Sequence, residues 1–388
     1  MQAEATNPFR FGDLALGDAF TDRETEIEEL KADIRNGQNV VVFAPRRYGK
    51  SSLVWRVAQE AIREGILVAY VNLMTTPTKE KLAAKLARSI HEDVASPLFR
   101  ARDRLRVFRG LRIAPVVTVD PEDASVSFGF QATHRADDID ATLERLLEIP
   151  AELAADRDRR VALVLDEFQE VVAIDRHLPK LMRSVFQAQP DVAHVYLGSK
   201  RHMMERIFSD ENEPFWRSAK QTELGVIAPG AFRGYIEAHF AATGKAVESG
   251  VVERVLALTG GHPYATQELC YFLWEETAAG GTAQFAHFEA ALADVLRSED
   301  AHFTLVWENA SGVQRLVLEA VAREPGPALG SEYRRRHGLA AASSVQKALA
   351  VLSRRELVAR DVTGHRIAEP FLAEWLERRV AGGYPLRP

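Results

Sequence analysis

A loop with three basic residues and one glycine carries the strongest chemical signal in the sequence. Residues 44–51 read Ala-Pro-Arg-Arg-Tyr-Gly-Lys-Ser and lie between a short apolar run and a segment with helical periodicity. The order approximates the pattern G-x-x-x-x-G-K-[S/T], in which backbone N–H groups and a helix N-terminus surround phosphate oxygens. Lys50 would reach the β- and γ-phosphates of a nucleotide, and Ser51 would place its hydroxyl on Mg²⁺. The predicted nucleotide contacts are Ala44, Pro45, Arg46, Arg47, Tyr48, Gly49, Lys50, Ser51 and Ser52.

The first position of this loop departs from the pattern. Ala44 stands where the pattern has glycine. Its methyl group is tolerated if the local φ is negative, whereas a left-handed conformation would be strained. The alternative interpretation is an ordinary turn with a solvated lysine. The strand before the loop, the helix after it and the acidic residues downstream favour the phosphate site.

Two acidic residues follow a buried strand. The apolar run 161–165 ends in Asp166 and Glu167. Because ligands bind at the carboxyl edge of parallel sheets, Asp166 is suited to holding Mg²⁺ and Glu167 to orienting and deprotonating a water molecule. Ser199 ends the next apolar run and could sense a γ-phosphate. The alternatives are a solvent-facing acidic pair and a plain turn at Ser199.

The elements around these residues indicate a parallel α/β sheet. Buried strands are predicted at 40–43, 66–73, 161–168 and 194–199, and helices at 22–35, 51–65, about 79–94 and about 138–147. Strands that alternate with helices are typical of parallel sheets. Alternating polarity near residues 110–132 predicts a β-hairpin insertion.

Strand signals fade after residue 224. Successive helices with glycine stops predict a small helical lid domain at 225–310. Residues 311–388 follow the order helix, helix, helix, hairpin, which indicates a winged helix-turn-helix. The predicted domains are therefore 1–224, 225–310 and 311–388.

Composition limits the protein class. A chain of 388 residues is long enough for two or three domains with full cores. Its only cysteine, Cys270, cannot form an intrachain disulfide and is expected to be a buried structural thiol. The sequence shows neither a membrane-spanning apolar run nor a signal peptide, so we expect no membrane partner and a cytoplasmic location.

Charge is distributed unevenly along the chain. Residues 311–388 hold 13 Lys and Arg against 8 Asp and Glu, a net charge of +5, whereas the whole chain carries −6. A basic winged helix on an acidic body suggests DNA contact. The candidate side chains are Arg334, Arg335, Arg336, Ser343, Ser344, Gln346, Lys347, Arg354 and Arg355. The alternative is a protein-docking module or a regulatory cap.

With these segments in order, the sequence resembles the AAA+/STAND-type P-loop ATPases found as archaeal and bacterial ATPases with a C-terminal winged helix. The resemblance covers most of the chain. It is carried by residues 7–30, 44–53, 164–170, 197–204, 213–224 and 259–269.

The resemblance implies roles for single residues. Lys50 and Ser51 match the Walker A pair, Asp166 and Glu167 match the Walker B pair, and Ser199 matches the polar sensor.

Positions further from these motifs are also matched. Arg217 lies where relatives carry an arginine near the γ-phosphate. Gly261, His262 and Pro263 match a G-x-P signature that faces the nucleotide. Asp22 and Arg23 match a segment that borders the base pocket. The alternatives are a surface arginine beside Glu213 at 217, a helix cap at His262 and a simple backbone preference at Pro263.

The expected activity is hydrolysis of ATP with Mg²⁺, in which the nucleotide state rearranges the lid and winged-helix domains. The catalytic residues would be Lys50, Glu167, Ser199 and Arg217. The alternatives are a nucleotide-gated DNA-binding regulator and an ATP-dependent scaffold without significant turnover. Many relatives act as assemblies, so a homo-oligomer in which a neighbouring subunit supplies an arginine stays open.

Overall fold

The computed structural model describes residues 6–95, 105–119, 126–130 and 136–380. Contacts within the chain define two compact units, Arg23–Gly225 and Met1–Asp22 with Val226–Pro388. The domain bounds inferred from the sequence follow a different, threefold division and stay predictions.

The unit Arg23–Gly225 contains seven strands among its described residues. They are β1 (Val40–Phe43), β2 (Leu67–Asn72), β3 (Val116–Val119), β4 (Val126–Gly129), β5 (Val161–Asp166), β6 (Val192–Gly198) and β7 (Lys220–Glu223). Its α-helices are α1 (Glu24–Arg35), α2 (Lys50–Arg63), α3 (Lys79–Ser89), α4 (Ala136–Arg157), α5 (Val171–Ile174), α6 (Leu178–Phe186) and α7 (Arg201–Ser209). A π-helical turn at Ile90–Ala95 continues α3.

Five strands form a parallel sheet in the order β2-β5-β6-β1-β7. Every residue of β1, β5 and β6 is buried, as expected for central strands that are covered on both faces. The carboxyl ends of these strands lie at one edge of the sheet. That edge brings together the loop after β1, the acidic pair after β5 and Ser199 after β6.

Two elements differ from the sequence-based predictions. β7 was not predicted, because its residues Lys-Gln-Thr-Glu are mostly exposed and an edge strand needs no apolar run. Helix α4 extends to Arg157 and contains Pro150, whereas the prediction ended near residue 147. β3 and β4 pair antiparallel, which matches the predicted hairpin, although residues 120–125 and 131–132 of that insertion lie outside the described residues.

The other unit is mostly helical. Its α-helices are α8 (Pro229–Ala242), α9 (Ser249–Thr259), α10 (Pro263–Glu276), α11 (Phe285–Glu308), α12 (Gly312–Arg323), α13 (Ser331–Arg336), α14 (Ala342–Arg354) and α15 (Pro370–Val380). The strands are β8 (Ala246–Val247), β9 (Thr282–Ala283), β10 (Val358–Arg360) and β11 (His365–Ile367). The predicted burial of Cys270 is confirmed, since it lies in the core of this unit.

The last part of this unit has the winged-helix order. Helices α12, α13 and α14 precede the antiparallel pair β10–β11, which turns at Asp361–Gly364. α15 then buries Phe371 and Trp375 in the same core. The predicted fold class, a parallel α/β core followed by a helical segment and a winged helix, is confirmed.

In the described residues, no helix combines the length and the apolar character that crossing a bilayer requires.

Candidate functional site

The phosphate-loop segment connects β1 directly to α2. Ala44 is buried and its φ lies outside the left-handed region, so its methyl group strains no backbone. Gly49 has φ +80° and a Cβ there would meet no atom within 4 Å. Arg47 also adopts a positive φ of 68°. The backbone at Ala44 therefore tolerates its methyl group, and the space beside Gly49 is open.

The first turn of α2 carries the lysine and the two serines. The side chain of Lys50 is 7% exposed, and its Nζ lies 3.6 Å from Asp166 Oδ1 and 3.5 Å from Glu167 Oε1. Both distances exceed that of a normal hydrogen bond, so Nζ faces two carboxylates but makes no close hydrogen bond to a described residue. Ser51 is half-buried and Ser52 is buried. The ammonium of Lys50 therefore interacts with the two carboxylates through charge, and its N–H donors make no hydrogen bond to a described residue.

Asp166 is the last residue of β5 and is almost fully buried. Its Oδ1 accepts the backbone N–H of Glu167 at 2.8 Å. Its Oδ2 accepts the hydroxyl of Tyr70 and, at 3.4 Å, the amide of Asn72. Asn72 is the register partner of Asp166 across the β2–β5 pair. Both oxygens are therefore oriented by donors.

Glu167 adopts a left-handed backbone with φ 53°. Its Oε2 accepts hydrogen bonds from Ser199 Oγ, at 2.8 Å, and from Gln169 Nε2. Its Oε1 is the atom that faces Lys50. Glu167, Ser199 and Lys50 therefore lie together at one edge of the sheet.

Burial and the neighbouring donors shift the pKa of Glu167 in opposite directions. Burial raises the pKa of its carboxyl, but the charge of Lys50 and the hydrogen bonds from Gln169 and Ser199 outweigh burial, so the pKa lies below its ordinary value. The side chain is consequently a carboxylate at neutral pH.

The side chains at this site fit a magnesium ion that is bound mainly by water and phosphate oxygens. Among the described residues, no group of three or more His, Cys, Asp and Glu side chains is arranged to hold a metal ion, so a cage made wholly of protein is not available there. Mg²⁺ is commonly bound by one or two carboxylates together with water and phosphate oxygens. Asp166 and the Ser51 hydroxyl could supply such a site, and the unused donors of Lys50 fit a phosphate beside it.

In the described part of the chain, Arg217 does not contact the residues of this site. Its side chain is exposed and its guanidinium lies 5.1 Å from the centre of the Trp216 ring. Its backbone has φ 50° and its N–H donates to the carbonyl of Phe208. No contact with Lys50 or Glu167 is present, so its predicted role near the γ-phosphate stays a prediction.

Asp22 and Arg23 are consecutive residues with positive φ, 60° and 80°. Arg23 is buried, pairs with Glu26 at 2.8 Å and donates to the carbonyl of Gly225 at 2.5 Å. These contacts give Arg23 a structural function, and its predicted contact with the base stays untested.

The G-x-P segment begins α10. Gly261 has φ +74°, and a Cβ there would lie 2.3 Å from the carbonyl oxygen of Ile227, so glycine is required. His262 is the N-cap, with Nδ1 accepting the N–H of Ala265 at 3.2 Å, and Pro263 is the first helical residue. This geometry matches the capping alternative, while a nucleotide contact stays a prediction.

Three residues at the site were not found from the sequence. Tyr70, Asn72 and Gln169 donate to the two carboxylates, yet none was assigned a role from the sequence, although Gln169 lies in the segment 164–170. Asn72 carried a usable signal, because it is a polar residue that ends a buried strand. Tyr70 carried none, because tyrosine is a common strand former.

Two family profiles match the sequence. The profile of an ATPase domain predominantly from Archaea matches residues 20–269, and that of a probable winged helix domain matches residues 301–378. No curated protein sequence matches the chain.

Solved structures share the fold. The Walker-type ATPase PABY2304 of Pyrococcus abyssi has a TM-score of 0.66 and 15% sequence identity, over 93% of this chain and 97% of its own. The ORC2 protein of Aeropyrum pernix, in its ADPNP-ADP complexes, has a TM-score of 0.52 and 14% identity, over 96% of this chain and 99% of its own. At these identities the likeness concerns the fold alone.

The profile match at residues 20–269 spans more than half of the chain and contains the loop, the acidic pair and Ser199. The protein therefore belongs to the family of ATPase domains found predominantly in Archaea.

Proposed function

We propose that the chain binds ATP with Mg²⁺ at the loop 44–51 and hydrolyses it to ADP and phosphate. The state of Lys50 carries the proposal: its ammonium is buried between two carboxylates and makes no hydrogen bond to any described residue. A buried cation with unused donors is unfavourable, and phosphate oxygens are acceptors that match it.

Each residue has a distinct task in this proposal. Lys50 and the N-terminus of α2 neutralise charge on the β- and γ-phosphates. Glu167, held through Oε2, keeps Oε1 toward Lys50, where it orients the attacking water and accepts its proton. Asp166 and Ser51 hold Mg²⁺, which when bound offsets the negative charge of the transferred phosphoryl group. Ser199, which donates a hydrogen bond to Glu167, senses the γ-phosphate.

The proposal extends to the rest of the chain. Nucleotide state would set the arrangement of the lid and the winged helix, and Arg217 would act within the chain or on a neighbouring subunit. The resemblance in sequence supports these assignments.

The substitution Glu167→Gln is expected to separate ATP hydrolysis from nucleotide binding. Glu167→Gln should retain affinity for a fluorescent ATP analogue and lose about 10²-fold or more in steady-state phosphate release, because the amide cannot accept a proton. Lys180→Ala, which alters an exposed lysine on α6, is the control and should behave as the wild type. A Gln variant that hydrolyses ATP at the wild-type rate contradicts the role of Glu167. Binding without turnover in the wild type would favour the scaffold alternative.

The winged helix supports DNA binding as a second candidate function. Gln346 and Lys347 on α14 and Arg335 on α13 are exposed, in a segment of net charge +5. Phosphate contacts by such residues give salt-dependent affinity. The double variant Arg335→Ala with Lys347→Ala should weaken binding to a short DNA duplex and reduce the salt slope by about 1 for each phosphate interaction that is removed. Anisotropy that is the same for variant and wild type would exclude this surface.

A further inference from the structure

Tyr70 lies on the strand that borders β5 at the edge of the sheet. Along β2, Tyr70 and Asn72 are two residues apart, so their side chains point to the same face. Asn72 is paired in register with Asp166 and Tyr70 with Val164. Both polar side chains of β2 therefore reach the carboxylate that ends the neighbouring strand.

The two donors on Asp166 Oδ2 are unequal. The hydroxyl of Tyr70 lies well within hydrogen-bond range of Oδ2, whereas the amide of Asn72, at 3.4 Å, lies near the outer limit. Tyr70 is therefore the principal donor to this oxygen. The hydroxyl group belongs to a half-buried side chain and faces a carboxylate that is almost fully buried.

The other oxygen of Asp166 has a different environment. Oδ1 accepts the N–H of Glu167 at 2.8 Å and lies 3.6 Å from Lys50 Nζ. With Oδ2 held by Tyr70 and Oδ1 held by a backbone amide, the plane of the carboxylate is fixed. The remaining acceptor capacity of Oδ1 lies on the side of Lys50.

We propose that Tyr70 is a positioning residue for the magnesium site. Its hydroxyl holds Oδ2 so that Oδ1 stays on the side of Lys50, available to the metal that Asp166 and Ser51 hold. This inference rests on the proposed function. Partners that orient a metal ligand typically contribute about 10- to 100-fold in metal affinity.

Tyr70→Phe tests the inference, because it removes the hydroxyl and retains the ring. Mg²⁺ is titrated into protein with a fluorescent ATP analogue, and the apparent dissociation constant of Mg²⁺ is expected to rise about tenfold or more. Affinity for the analogue in EDTA should stay at the wild-type value, since Tyr70 acts only through Asp166. A merely structural role would instead weaken both.

Tyr196→Phe is the matched control. It removes a tyrosine hydroxyl from β6 of the same sheet, where the ring packs against Phe168 and Phe208. Its Mg²⁺ constant should equal that of the wild type.

The outcomes separate the inference from the function on which it rests. An unchanged Mg²⁺ constant in folded Tyr70→Phe, with the wild type binding normally, overturns the role of Tyr70 alone. A wild type that shows no Mg²⁺-dependent binding overturns both. If Tyr70→Phe does not fold, Tyr70→Leu takes its place, because leucine has no hydroxyl and leaves Oδ2 with only the distant amide of Asn72; its Mg²⁺ constant must also rise.

Discussion

At the scale of single residues, Glu167 is positioned by groups from three segments. Ser199 follows β6, Lys50 begins α2, and Gln169 lies two residues along the chain. Gln169 is fully buried, and a Cβ on Gly198 would lie 2.9 Å from its Oε1. The amide is therefore confined between β6 and the carboxylate that it orients.

Replacing Gln169 should lower turnover more than binding. Gln169→Leu keeps a similar volume but removes one of the two hydrogen bonds to Oε2, so Glu167 loses its fixed direction. We expect kcat to fall about tenfold to a hundredfold, with little change in nucleotide affinity. Steady-state kinetics and analogue binding measure the two quantities.

Gln189→Leu provides the control for Gln169→Leu. Gln189 is also buried but bonds the carbonyl of Leu147 and the ring of His194, away from the acidic pair. Its kcat should remain at the wild-type value. Equal kcat in folded Gln169→Leu and in the wild type would show that the amide does not position Glu167.

His194 gives stability a defined pH dependence. Its ring is fully buried, contacts Asn39 and Gln189 and stacks on Phe186. Burial, with a smaller contribution from the charge of Arg183, lowers the pKa of the ring to about 3. Since the unfolded chain has a pKa of about 6.5 at this position, unfolding takes up a proton below that pH, and stability is lost as pH falls.

The expected loss is measurable against a variant. Between pH 7.5 and 5.5 the His194 contribution should decrease by roughly 1.4 kcal/mol, and His194→Gln should lack that part of the dependence. Denaturant unfolding at several pH values measures it. Parallel stability curves for the two proteins would contradict the assigned pKa.

At the scale of elements, the sequence predicted those whose burial dictates their composition. β1, β5 and β6 are buried throughout and mostly apolar, because both faces of the sheet are covered, so their apolar runs were recognisable. β7 is polar because it lies at the edge, and pairing with β1 alone suffices to form it. α4 was predicted too short because Pro150 and the segment beyond it were not assigned to the helix.

The same distinction applies to the site. Lys50, Asp166 and Glu167 could be predicted because their chemistry follows from position along the chain. Tyr70 and Gln169 could not, because their function depends on which strand lies beside β5 and on side-chain direction. Register between neighbouring strands is a property of the assembled sheet.

Gly261, which precedes α10, leads to a prediction about stability. Gly261→Ala places a methyl 2.3 Å from the carbonyl oxygen of Ile227 at a φ of +74°, so we expect destabilisation by about 2 kcal/mol or more. Gly234→Ala, in the exposed interior of α8 with no atom within 4 Å, should instead stabilise by about 0.5–1 kcal/mol. Thermal unfolding of both variants checks the opposite signs, and similar effects would contradict this account of Gly261.

At the scale of the whole molecule, the candidate site and the winged helix lie in two units with separate cores. The unit Arg23–Gly225 holds the loop 44–51, the acidic pair and Ser199. The other unit holds the winged helix, and residues 311–388 carry +5 while the rest of the chain carries −11. The proposed chemistry thus belongs to one unit, and the basic surface belongs to the other.

Calorimetric titration of Mg-ATP into folded, nucleotide-free protein tests the central claim most directly. The proposal predicts saturable heat for the wild type and its loss in Lys50→Ala, because it assigns the buried ammonium, which has no hydrogen-bond partner among the described residues, as the principal donor to the phosphates. Absence of heat with the wild type, or equal heat with Lys50→Ala, would contradict a nucleotide site at this loop.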